Sequence, residues 1–152
     1  MKTFEHILVP TDFSDPSKRA LDMAIELAQK SKARLTLLHV WNLPYAGYAE
    51  ALAWPIDEME AGARTALEEL RVSVAARLPG VEAMLEMGRE WQTILEVAKA
   101  KGVDLIVMGT HGRHGLPRFF LGSVAEKIVR LSPVPVLTVG MPPEPAPRAT
   151  PA

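Results

Sequence analysis

Strand-type and helix-type hydrophobic patterns alternate along this chain from about residue 4 to residue 139. Short apolar runs predict five strands, at about 4–10, 34–40, 81–87, 104–108 and 133–139. Apolar residues at helical spacing predict four helices between them, at about 16–31, 57–78, 90–101 and 123–131. Because strands joined by helices lie parallel, we expect an α/β fold with a single doubly wound, five-stranded parallel sheet and helices on both faces.

Two residues mark the start of the first predicted helix. Asp15 carries a side-chain oxygen that can accept from backbone N–H groups of the first turn, so it is the predicted N-cap. Pro16 follows at the first helical position, where its fixed φ angle suits a helix and its missing N–H leaves no bond unmade.

The length of the chain, 152 residues, suits one domain with one substantial core. We assign residues 1–140 to this domain. The tail, 141–152, contains five prolines and is too poor in apolar residues to add a core element, so we expect it to be mobile.

Composition excludes several classes of function. The net charge of −1 gives no electrostatic reason to expect nucleic acid as a partner. The absence of cysteine excludes disulfides, thiolate catalysis and cysteine-based metal sites. The first residues show no signal-peptide pattern, and no apolar run approaches the ~18–20 residues that a membrane span needs. We therefore expect a cytoplasmic protein without a membrane partner.

A glycine-rich loop joins the fourth predicted strand to the last predicted helix. Its glycines include Gly109, Gly112 and Gly122, and Ser123 follows at the start of the helix. The loop has no carboxylate, and its cationic or titratable side chains are Arg113, Arg118, His111 and His114. Anions bind where free backbone N–H groups meet the positive end of a helix dipole, so this loop is predicted to hold phosphate. No Gly-Lys-Ser/Thr follows the glycines, so it is not a Walker A loop.

The glycines and the serine also have purely structural interpretations. Three glycines can serve a tight turn or close helix–sheet packing, although each missing Cβ also lets a backbone N–H reach an anion. Ser123 is a predicted N-cap when no ligand is bound, whereas with a nucleotide the N–H groups of Ser123 and Val124 would face a phosphate.

Asp12 ends the first predicted strand and has three possible roles. It can cap the first helix or pair with a nearby base. It can also accept hydrogen bonds from ribose hydroxyls, as the acidic residue of dinucleotide folds does. The third possibility is a role as an oxygen ligand of Mg²⁺ shared with phosphates.

The glycine spacing resembles the nucleotide-binding signature of the universal stress protein family: Gly109, two residues, Gly112, nine residues, then Gly122 and Ser123. The resemblance continues in the first strand, which ends in Asp12, and in the order of elements over about 3–140. It implies a Rossmann-like sheet of order 3-2-1-4-5 with its switch point between strands one and four. The chain departs from the family at Ala125, where a hydroxyl residue can occur.

The resemblance also implies a set of contacts to ATP. Pro10, Thr11 and Asp12 would surround the adenosine, Val40 would offer backbone groups to the adenine edge, and Met108 would pack nearby. The complete set of predicted binding residues is Pro10, Thr11, Asp12, Val40, Met108, Gly109, His111, Gly112, Arg113, Gly122, Ser123 and Val124.

The function that the resemblance favours is that of an ATP-binding protein with a regulatory or stress-response role. Mg²⁺ is expected to accompany the nucleotide, and the sequence does not identify the protein partners. The alternative is a slow ATPase or phosphotransferase that uses the same site. Asp12 is the only carboxylate expected in the crevice, so no general base stands out and we assign no catalytic residue. A third alternative, an interaction module without nucleotide binding, conflicts with the intact glycines.

A homodimer through strand five, residues 134–140, is also predicted. In the implied order this strand is a sheet edge, and it is apolar and uncharged between Ser132 and Met141. Pairing about a two-fold axis is the commonest closed arrangement, and the family's dimers resemble it.

The remaining histidines and the aromatic residues after strand two are harder to assign. His111 and His114 lack further ligands nearby, so we predict no metal site. His39, inside strand two, is interpreted as a core residue with its polar atoms satisfied, and His6 as structural. The segment 41–56 contains four aromatic residues, which form either a lid or partner surface or a satellite core: Trp41, Tyr45, Tyr48 and Trp54.

Overall fold

The computed structural model contains one parallel β-sheet covered by helices on both faces. It describes residues 3–43, 53–111, 121–142 and 149. The strands are β1 (His6–Pro10), β2 (Arg34–Trp41), β3 (Glu82–Met87), β4 (Leu105–Gly109) and β5 (Val136–Val139). Their order is β3-β2-β1-β4-β5, and every neighbouring pair is parallel, which confirms the predicted doubly wound sheet and its order.

The helices of the described ranges follow the strands in chain order. They are α1 (Asp15–Ser31), α2 (Ile56–Ala75), α3 (Glu90–Ala100) and α4 (Ser123–Leu131). No helix in these ranges combines the length and the hydropathy that a bilayer crossing requires.

The central strand β1 separates two hydrophobic layers because successive side chains point to opposite faces. Ile7 and Val9 pack with α1 and α2, whereas Leu8 packs with α3 and α4. All five residues of β1 are buried. This two-sided burial explains why the strand is a continuous apolar run, as is typical of parallel sheets.

Two helix boundaries differ from the prediction. The N-cap of α1 is Ser14, whose side chain accepts from the N–H of Ser17, and Asp15 is the first helical residue. Asp15 still favours the helix there, because its negative charge lies at the positive end of the dipole. Helix α2 ends at Ala75 rather than residue 78, and the N–H groups of Arg77 and Leu78 both bond to the Val74 carbonyl in a tightened final turn.

The last strand is shorter than predicted. It begins at Val136 rather than at residue 133 or 134, and it ends at Val139. The Pro135 carbonyl already accepts from the N–H of Ile106, but the prolines have no N–H with which to extend the ladder. The two prolines therefore delay the start of β5.

Candidate functional site

A cleft of about 360 Å³ lies at the carboxyl ends of β1, β2 and β4. The first residues of α3 and α4 also line it. Its volume falls in the range of about 300–1,000 Å³ that is usual for small-molecule sites. The chain order reverses between β1 and β4, and in open α/β sheets ligands bind at such a switch point.

Every predicted binding residue that the structure describes lines this cleft. They are Pro10, Thr11, Asp12, Val40, Met108, Gly109, His111, Gly122, Ser123 and Val124. The other two predicted binding residues, Gly112 and Arg113, lie outside the described residues, as do His114 and Arg118.

The turn between β1 and α1 is held by its own side chains. An Asp12 carboxylate oxygen accepts from the N–H of Ser14, at 3.0 Å, and from its hydroxyl. The N–H of Phe13 donates to the Thr11 hydroxyl oxygen at 3.1 Å. Phe13 adopts a left-handed backbone conformation, with φ of 64°. Asp12 thus fixes the position of Ser14, the residue that caps α1. Of the three predicted roles of Asp12, the one in support of the first helix is therefore seen in the structure.

The amino end of α4 faces the cleft, and its N-cap residue supplies no side-chain cap. Gly122, not Ser123, is the N-cap, and Ser123 is the first helical residue. The N–H of Gly122 donates to the Thr110 carbonyl at 2.7 Å, which anchors the helix start to the end of β4. The first N–H groups of a helix have no acceptor within the helix, so this end offers donors and a positive dipole to the cleft.

His111 lies beside this helix start. Its Nδ1 atom is 2.9 Å from the hydroxyl oxygen of Thr110. Its Nε2 atom is buried and has no hydrogen-bond partner among the residues that the structure describes. When Thr110 donates to Nδ1, Nε2 carries the proton and is a donor in need of an acceptor. A phosphate oxygen is an acceptor of the required kind.

Several residues of the cleft were not predicted. They are Ser17, Leu38, His39, Trp41, Asn42, Glu90, Ile94, Thr110 and Ala125. Glu90 corrects the expectation that Asp12 is the only carboxylate of the crevice. A signal was available, because Glu90 opens the helix after strand three and therefore lies at the carboxyl edge of the sheet. Trp41 belongs to β2 and lines the cleft, whereas Tyr45 and Tyr48 lie outside the described residues.

His39 differs from its interpretation as a core residue. It is half-buried and lines the cleft, and its Nδ1 atom is 2.7 Å from the Thr11 carbonyl oxygen. A carbonyl oxygen only accepts, so Nδ1 donates this hydrogen bond.

A second polar cluster lies at the opposite, amino end of the strands. His6 is 2% exposed, and its Nε2 atom is 2.8 Å from the hydroxyl oxygen of Thr36. Burial, and next the positive charge of Arg34, lowers the pKa of His6. A hydrogen bond from Lys101, 3.0 Å long, lowers the pKa of Glu82. The cluster is remote from the cleft and supports the structural interpretation of His6.

The sequence matches the profile of the Universal stress protein family over residues 3–140. Universal stress protein YxiE of Bacillus subtilis is 36% identical over 146 residues, which cover 90% of this chain and 99% of that protein. Universal stress protein MJ0531 of Methanocaldococcus jannaschii is 35% identical over 144 residues, which cover 91% of this chain and 84% of that protein.

Solved structures show the same architecture. Universal stress protein UspA from Lactobacillus plantarum superimposes with a TM-score of 0.81 at 30% identity, over 91% of this chain and 99% of that chain. A universal stress protein in complex with cAMP superimposes with a TM-score of 0.71 at 26% identity, over 91% of this chain and 98% of that chain.

Proposed function

This chain belongs to the universal stress protein family, and we propose that it acts there as an ATP-binding regulatory protein of the stress response. The nucleotide lies between the carboxyl ends of β1 and β4. One observation carries the proposal: a single cleft is lined both by the amino end of α4 and by the Asp12 carboxylate in the turn after β1. Phosphates suit the first of these and ribose hydroxyls suit the second.

The phosphate end of the proposed site is at α4. The N–H groups of Ser123 and Val124 are donors there, and Gly122 precedes them as the N-cap. The buried Nε2 atom of His111 supports this assignment because a bound phosphate oxygen would give it a partner. We assign Gly112 and Arg113 to the same end from their position in the glycine signature.

The adenosine end is at β1 and β2. We propose that Asp12 accepts from ribose hydroxyls, that Val40 offers its backbone to the adenine edge, and that Pro10, Thr11 and Met108 pack around the nucleoside. A relative of 26% identity with cAMP bound supports an adenine nucleotide as the ligand class. We further propose that Mg²⁺ enters with ATP, held by the phosphate oxygens of the nucleotide.

We propose regulation rather than catalysis as the role of the bound ATP. Asp12 accepts two hydrogen bonds from Ser14 and is assigned to ribose in the proposed complex, so we do not assign it the further role of activating water. Single-turnover measurement of phosphate release tests this directly. A burst of phosphate equal to the amount of bound ATP would favour the alternative, a slow ATPase or phosphotransferase.

We also propose a homodimer through β5. This strand is an edge of the sheet, and the carbonyls of Pro135 and Val139 point to β4. By alternation, the backbone groups of Val136 and Thr138 point outward and are available to a second strand. The exposed side chain of Leu137 adds apolar surface to the same edge.

The ligand is identified most simply by mass analysis of the nucleotide that the purified protein releases on denaturation. We expect ATP, or an adenine nucleotide derived from it. Gly122→Val protein purified in parallel is the control, and it should release none. Release of a flavin or a guanine nucleotide, or equal release from both proteins, would contradict the proposal.

A further inference from the structure

Two hydrogen bonds hold the backbone of Thr11 against β2, one at its N–H and one at its carbonyl oxygen. Its N–H donates to the Leu38 carbonyl at 2.8 Å and continues the pairing of β1 with β2. Its carbonyl accepts from Nδ1 of His39 at 2.7 Å. The second bond comes from a side chain and lies where regular pairing of the strands has ended, since β1 ends at Pro10.

These two hydrogen bonds hold the chain at the position where it leaves the sheet and turns sharply towards α1. Phe13 is in the left-handed region, which is uncommon for a residue with a side chain. Its ring lies 4.6 Å from the ring of His39, so the same histidine contacts the turn at both of its ends. The turn between these contacts contains Asp12.

From this geometry we infer that His39 is a positioning residue for nucleotide binding, acting through Thr11 to place Asp12 relative to Val40. Val40 follows His39 directly on β2, so one strand supplies both the proposed adenine contact and the residue that fixes the ribose contact. This inference rests on the proposed function and names a determinant of that same site. The proposed effect of His39 is on the adenosine end of the site, and contacts to phosphate at α4 should not depend on this residue.

Two variants of His39 separate its hydrogen bond from its bulk. His39→Leu removes the donor but keeps an apolar side chain against Phe13. His39→Asn keeps an N–H group near the position of Nδ1 and serves as the conservative rescue. Calorimetric titration of each variant and the parent with ATP and with inorganic tripolyphosphate measures the two ends of the site separately.

We expect His39→Leu to weaken ATP binding about tenfold, as the loss of one hydrogen bond predicts, and to change tripolyphosphate binding by less than about twofold. We expect His39→Asn to stay within about threefold of the parent for both ligands. Unchanged ATP affinity in His39→Leu would overturn the inference. So would an equal loss for both ligands, or a His39→Asn variant as weak as His39→Leu.

A double-mutant cycle tests the path through Asp12. In an Asp12→Ala background, His39→Leu should reduce the affinity for ATP by a much smaller factor than it does in the parent protein. Additive losses would overturn the inference, because His39 would then act independently of Asp12. If the parent protein binds neither ATP nor tripolyphosphate, the proposed function is refuted and this inference with it. If the parent protein binds both ligands, the affinities of the variants decide whether His39 positions Asp12.

The tautomer of His39 gives a readout that does not require ligand. Nitrogen-15 shifts of the ring should show the proton on Nδ1 at neutral pH, as donation to the Thr11 carbonyl requires. A neutral ring with its proton on Nε2 would overturn the inference.

Discussion

A Cβ atom on Gly109 would lie 2.9 Å from the backbone carbonyl carbon of Pro16. The end of β4 and the start of α1 therefore approach too closely for any side chain at position 109. The first glycine of the loop thus has the packing role that its structural interpretation describes, and it also lines the cleft. This approach keeps the turn that bears Asp12 beside β4.

Gly109→Ala should consequently destabilise the protein. We expect a loss of about 1–3 kcal/mol in the free energy of unfolding, because backbone must move to admit the new methyl group. Gly62→Ala is the matched control: its Cβ would meet nothing within 4 Å on an exposed part of α2, so it should stabilise by about 0.5–1 kcal/mol. Denaturant unfolding measures both. A Gly109→Ala variant at least as stable as the parent would contradict the packing role of Gly109.

Asp12→Ala should weaken ATP binding far more than tripolyphosphate binding. The proposed partner of the carboxylate is ribose, which tripolyphosphate lacks, so we expect a loss for ATP of about ten- to a hundredfold. Asp12→Asn is the control, because its amide oxygen can still accept from the N–H of Ser14 and preserve the turn. Calorimetry with and without Mg²⁺ measures these losses. Equal losses for both ligands that appear only with Mg²⁺ would reassign Asp12 to the cation.

The buried His6 predicts a pH dependence of stability. Its pKa is lowered in the folded protein, so the unfolded chain binds a proton more readily. The contribution of His6 to the free energy of unfolding should be fully present above about pH 6.5, the pKa of histidine in the unfolded chain. It should decrease as the pH falls below that value and level off below the pKa of His6 in the folded protein.

His6→Gln isolates this contribution because it removes the titrating group. The difference in unfolding free energy between parent and variant should shrink as the pH falls through this window. Denaturant unfolding at a series of pH values supplies the measurement. A difference that is independent of pH would show that His6 does not titrate differently on folding.

Leu137→Lys should convert the proposed homodimer into a monomer. Leu137 is 37% exposed on the edge strand β5, so a lysine there is tolerated by the fold but adds like charge across a two-fold contact. Val136 and Val139 are poorer choices because they pack against the two cores. Met87→Lys, at a site 61% exposed on the opposite edge strand, is the control.

Sedimentation at micromolar concentration distinguishes the species. We expect the parent and Met87→Lys to be dimers and Leu137→Lys a monomer. A monomeric parent would refute the dimer, and a dimeric Leu137→Lys would place its interface elsewhere.

Sequence patterns predicted the elements well because each one has a strong hydrophobic period. The continuous apolar run of β1 and the stripe of α1 both follow from burial, which periodicity reports directly. Boundaries were less predictable because they depend on single hydrogen bonds. Ser14, Asp15 and Ser123 are all plausible caps by residue type, and only the backbone geometry shows that Ser14 caps α1 and that Gly122 precedes α4.

Residues of the cleft were predicted where a local motif or the family resemblance gave a signal, and they were missed where neither did. Gly109, Gly122 and Ser123 are linked by spacing along the chain. His39 gave no such signal, because its bond to Thr11 joins residues 28 positions apart and depends on the register of β2 with β1. Residue type alone could not distinguish this histidine from His6, which is buried at the other end of the sheet.

Titration of the parent and of Gly122→Val with ATP tests the proposed site most directly. Gly122 has φ of −59° and ψ of 155°, a conformation open to valine, so the variant should fold while its side chain occupies the phosphate position. A thermal unfolding curve close to that of the parent would verify folding. We predict one ATP per parent chain with micromolar affinity, about −8 kcal/mol, and no measurable binding by Gly122→Val. A parent without ATP binding, or a variant that binds as tightly as the parent, would contradict the proposed site.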